Sequence, residues 1–87
     1  MENQKLEINF SNFIMGFATA ALVSMGIVED PVVKKMNKQL AQARQHIDTL
    51  EMLKGKTNNN LTSEESTLLN NIIADLKMKF VQVEKEG

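Results

Sequence analysis

The stretch DTLEMLKGKTNNNLTSEE (Asp48–Glu65) stops one helix and starts another. Leu50 and Leu53 close an apolar stripe. Lys54 and Lys56 follow in the last turn, where positive charge suits the carbonyl end of the helix dipole. Asn58, Asn59 and Asn60 come next. Asparagine enters the left-handed region more readily than other residues with a side chain, and Asn59 is the expected stop. Thr62 and Glu65 then have the S/T-x-x-E spacing of a capping box, whose cap contributes about 1 kcal/mol. Every residue type in the stretch serves the reversal, and none of them handles a substrate.

Working outward towards the C-terminus, Leu69, Ile73, Leu76, Phe80 and Val83 step by four and three, with Leu68 and Ile72 widening the stripe. This spacing predicts a helix over about 63–83. Towards the N-terminus, Val33, Met36, Leu40, Ala43, Ile47, Leu50 and Leu53 form a matching stripe. Asp30 as cap and Pro31 at the first helical position predict that this helix runs over about 31–55, with a restart at Asn37 as the alternative. A turn this short makes the two helices an antiparallel hairpin with facing stripes.

A third helix is expected over about 10–26, opened by Asn9 or Ser11 and ended by Gly26 in a left-handed conformation. From Phe13 to Val28 the chain reads FIMGFATAALVSMGIV, 16 residues without a charge. That is short of the roughly 20 needed to span a bilayer. A helix apolar on nearly every side needs cover on nearly every side, and two striped companions cover about half of it. We therefore expect a homo-oligomer with this helix in its core. Gly16, Ala20 and Ser24 recur every four residues as a ridge of small side chains. Met78 and Val81 line up on the back of the last helix. The expected interface is Phe13, Gly16, Phe17, Ala20, Val23, Ser24, Met78 and Val81.

With 87 residues the chain is one small all-α domain over 9–83, with 1–8 a flexible N-terminus and 84–87 a frayed end. One proline, four glycines and many Leu, Ala, Met, Lys, Glu and Gln residues agree with that class. The absence of cysteine leaves no thiolate metal site and fits the cytoplasm. The first nine residues are polar and acidic, where a secretory signal would be basic and then apolar. A net charge of −1 gives no long-range attraction to nucleic acid. Lys34, Lys35, Lys38, Lys77 and Lys79 lack the interleaved arginines and aromatics of a nucleic-acid reader, and read as solvated helix surface.

Four segments carry a family resemblance: FxxFIxxxAxxALxxxG (Phe10 to Gly26), LxxARxxIDxLEMLKxKT (Leu40 to Thr57), NLTxEExxLL (Asn60 to Leu69) and DLKxKFV (Asp75 to Val81). Over about residues 10–83 the chain resembles the bacterial family catalogued as domain of unknown function 1844. The resemblance implies a small cytoplasmic helical protein, and no catalytic residue or cofactor to carry over. That family tends to have glycine where this chain has Asn59 and proline where it has Ser63, the expected residues for a helix stop and a first helical position. It usually has arginine and tyrosine at the positions of Lys77 and Phe80, so a tyrosine hydroxyl has no counterpart here.

Three residues remain as chemical candidates. His46 is the only histidine. It sits on the flank of its helix stripe, with Asp48 two positions on and facing elsewhere, so it reads as a boundary packing residue. Asp48 and Asp75 would serve acid–base or cation chemistry only if they met in a cleft. The plainer reading pairs Asp48 with nearby Lys54, and Asp75 with Lys79. Three function classes follow. The leading one is a non-catalytic self-associating interaction module, with another protein as a further partner and with no metal or cofactor. The others are a membrane-associated accessory protein acting through 13–28, and a ligand or metal binder whose site forms between subunits.

Overall fold

Asn9 opens the first helix: its Oδ1 accepts from the backbone N–H of Asn12 at 2.8 Å. This satisfies one of the donors that a helix start leaves unpaired. In the computed structural model, which describes residues 7–30, 34 and 38–86, three helices follow in order. They are α1 (Phe10–Ser24), α2 (Leu40–Lys56) and α3 (Ser63–Glu86), and among the described residues there is no strand. The chain is all-α. The expected flexible segment 1–8 lies, but for Glu7 and Ile8, outside the described residues.

The end of α1 is a Schellman stop. Gly26 has φ +79°. Its N–H donates to the Val23 carbonyl at 3.0 Å, and the N–H of Ile27 donates to the Leu22 carbonyl at 3.1 Å. These are the two bonds that satisfy orphan carbonyls in that motif. The Ser24 carbonyl accepts instead from the N–H of Gln39, at 2.6 Å. That bond joins the end of α1 to the start of α2. A Cβ on Gly26 would stand 3.2 Å from the Lys38 Cβ, so the two segments meet at a place where only glycine fits without displacement.

This junction corrects the expected start of the second helix. α2 begins at Leu40 and not at 31, and its N-cap residue is Gln39 rather than Asp30. Lys34 has φ +58°, outside any right-handed helix, and its N–H donates to the Asp30 carbonyl at 2.7 Å. The reason is geometric. Nine more residues would carry α2 about 13 Å past the end of α1, where nothing would cover its apolar side. Val33 and Met36, two expected stripe positions, lie outside the described residues, as does Pro31.

At the other end of α2, Thr57 donates through both its N–H (2.9 Å) and its Oγ1 (2.6 Å) to the Leu53 carbonyl. Asn59 follows with φ +68°. Thr62 and Glu65 exchange the bonds of a capping box: Glu65 N–H to Thr62 Oγ1 at 3.1 Å, and Thr62 N–H to Glu65 Oε1 at 3.0 Å. α3 then continues to Glu86, three residues past its expected end at Val83. The expected frayed end is thus helical as far as Glu86, because Glu84, Lys85 and Glu86 contain no residue that breaks a helix.

The core takes Ile14, Ala21 and Met25 from α1 and its cap, and Ala43, Ile47 and Leu50 from α2. Leu69, Ile73, Leu76, Phe80 and Val83 come from α3. α1 packs against both other helices. The molecule measures 38 × 36 × 15 Å. Its thin dimension is that of two stacked helices, an axis spacing of 8–10 Å plus a backbone radius of about 2.3 Å on each side. A core one layer deep shelters one side of α1 and leaves the other open.

Candidate interaction surface

No residue of α1 carries a charge, so burial alone decides what each position does. Ile14 and Ala21 face the core. Phe13 is 53% exposed, and Gly16 has open space where a side chain would stand. Phe17, half-buried, lies between the two sides: its ring meets Phe13 edge-on at 5.2 Å and His46 of α2 edge-on at 5.9 Å. The Phe17–His46 and Ser24–Gln39 contacts together set α1 and α2 running in opposite directions, since a step back along one is a step forward along the other.

Phe13, Gly16, Phe17, Ala20 and His46 line one open hollow of about 290 Å³. It shares Phe17 and His46 with a second hollow that runs on to Gln45, Thr49 and the exposed Met52. It shares Phe13 with a third that holds Glu7 and the fully exposed Ile8. The three make one continuous strip, apolar at its centre, along the outer side of α1 and α2.

The expected interface residues divide. Phe13, Gly16, Phe17 and Ala20 sit together in the central hollow. Val23 is half-buried and lines none of the three hollows. Ser24 is only 6% exposed, buried within the subunit, so it cannot be part of an outer face. Each four-residue step turns about 40° around a helix. Ser24 therefore keeps about the same angle around α1 as Phe13 and Phe17, and it is covered because it stands at the end of the helix, where Gln39 donates to its carbonyl.

Val81 lines a different groove, between α2 and α3, with Arg44, Ile47, Asp48, Glu51, Lys77, Phe80 and Glu84. Met78 is 64% exposed and lines none of these hollows. Four of the charges that line the α2–α3 groove already have partners. Arg44 sits 5.8 Å over the Phe80 ring and 3.5 Å from Asp48, and Lys77 pairs with Glu51. All four of these charged groups are well exposed, so each pair stabilises by less than about 1 kcal/mol.

Asp48 therefore pairs with Arg44 and not with Lys54, while Asp75 meets Lys79 at 2.6 Å. His46 forms the rim of the apolar strip. Among the described residues no three His, Asp or Glu side chains gather as a metal site would require. Among them, too, no helix is long and apolar enough to cross a membrane. Ile8 is the part of the strip that sequence reasoning missed, while the spacing of Met52 already puts it on the back of the second helix as a weaker sign of an interface. Ile8 precedes α1 and no helical period reaches it, whereas Met52 joins the strip only through the packing of α1 on α2.

A three-helix protein with an uncharged strip on α1 is the class that these features define. The family model described as "Domain of unknown function (DUF1844)" matches residues 7–82. The chain belongs to that family. No curated protein and no solved structure matched the chain.

Proposed function

We propose that this protein is a non-catalytic helical interaction module that associates with itself through the strip along α1 and α2. The observation that carries this reading is the half-exposed Phe13 beside the empty space at Gly16, on a helix without a single charge. Water gains nothing from contact with that surface, and covering it stabilises the assembly in proportion to the apolar area removed. Self-association is also the simplest cover, because every copy brings the same complementary patch.

Membrane association is the weaker reading. The acidic residues bordering the strip are Glu7 and Asp48, and carboxylates are repelled by anionic lipid headgroups. The composition, free of cysteine, suits the cytoplasm. The test is mass in solution. Light scattering across a concentration series should give a multiple of the 9.8 kDa chain, and a monomer at the highest concentration would end this reading.

A further inference from the structure

We infer that His46 makes self-association through the strip pH-dependent, with acid opening the assembly and neutral to alkaline solution closing it. This rests on the self-association proposed above and adds its regulation. Histidine is the side chain whose ordinary change of charge falls between about pH 5 and 8.

His46 stands where such a charge has most effect. It is the only titratable side chain lining the central hollow, where Phe13, Gly16, Phe17 and Ala20 supply the rest of the wall. It lines the second hollow as well, so both open onto its half-buried side chain. Covering the strip with a second copy covers the histidine too. A neutral imidazole loses little in that step, whereas an imidazolium gives up the hydration of a full charge.

The surroundings offer a proton on that ring no fixed partner. α1 contributes no charged residue at all. No residue of α3 lines either hollow. On α2, Asp48 shares the second hollow with His46, but Arg44 holds it at 3.5 Å and offsets its charge. Residues two apart on a helix point in different directions, and His46 makes no ion pair with another described residue. Glu7, ahead of α1, lines the third hollow and neither of the two that hold His46. The edge-on contact of His46 with Phe17 at 5.9 Å lies within one subunit. It is present whether the strip is open or covered, and so cancels from the difference between the two states.

A covered strip therefore binds fewer protons than an open one, and lowering the pH draws the equilibrium towards the open subunit. With one histidine in each copy, a contact between two strips carries the effect twice.

Light scattering of the full chain across a concentration series, at about pH 8 and about pH 5.5, tests this. Ordinary carboxylates keep their charge throughout that window. The dissociation constant of the parent chain should rise severalfold at the lower pH, with its helical circular dichroism unchanged. His46→Gln, uncharged at both values, should associate equally at both. His46→Lys, charged at both, should associate weakly at both. Glutamine and lysine are good helix formers, so α2 tolerates either. An assembly of the parent chain that is indifferent to pH overturns the switch and leaves self-association standing. A pH response that persists in His46→Gln overturns the assignment to His46. Loss of helix at the lower pH places the response in the subunit rather than in its contact, and overturns the switch as well. A monomer at both values overturns the self-association on which the switch depends.

Discussion

The Gln39 N–H and the Ser24 carbonyl form a 2.6 Å hydrogen bond that closes the connection between α1 and α2. Both groups belong to helix ends that would otherwise leave them unpaired. The bond holds Gly26 against Lys38 and aligns Phe17 with His46. The course of the strip along α1 and α2 follows from that alignment.

Gly26→Ala should be costly. The left-handed backbone alone penalises a side chain by about 1–2 kcal/mol, and the new methyl would press on the Lys38 Cβ at 3.2 Å. Urea unfolding should show a loss of at least that size. A loss below 0.5 kcal/mol would mean that the junction is loosely held.

Gly16→Leu should separate folding from assembly. In the single helix, replacing glycine favours α1 by up to about 1 kcal/mol, and nothing within 4 Å obstructs the added side chain. The variant should keep its helical circular dichroism while its mass in light scattering falls. Met52→Leu, at the margin of the strip, should leave the mass unchanged.

Thr62→Ala removes the acceptor of the Glu65 N–H. The expected loss is about 1 kcal/mol, read from the urea midpoint. Assembly should persist, since neither Thr62 nor Glu65 lines the strip.

Leu50→Ala should approach global unfolding. Leu50 is fully buried at the centre of α2, and such truncations cost about 2–5 kcal/mol. A domain this small has little more than that to lose. Thermal melting should show a broad transition well below that of the parent chain.

The parts of the fold legible in the sequence are those that local chemistry decides. Thr62 with Glu65 is a contact within one turn, and Asn59 and Gly26 need only their own backbone preference. The start of α2 was legible only through the alternative restart at Asn37, three residues short of Leu40. Asp30-Pro31 is a sound local signal, but the Schellman stop and the Ser24–Gln39 bond require the chain to reverse before α2 begins. The strip was half legible. Helical period put Phe13, Gly16, Phe17 and Ala20 on neighbouring positions of α1. It could not show that Ser24 is covered at the junction with α2, or that Val81 and Met78 stand apart from the α1 strip. Those facts depend on which helix lies over which, and a periodicity carries an angle without a neighbour.

With a thickness of only two stacked helices, this protein has no deep interior to retreat into. Each of its three rods is at once wall and filling. Removing one by a proteolytic cut would not leave a smaller stable remnant but would expose the greasy sides of the other two at a stroke. Such a layer survives whole or is lost whole, and the twin proposed for it would supply the second wall that these three helices do not build.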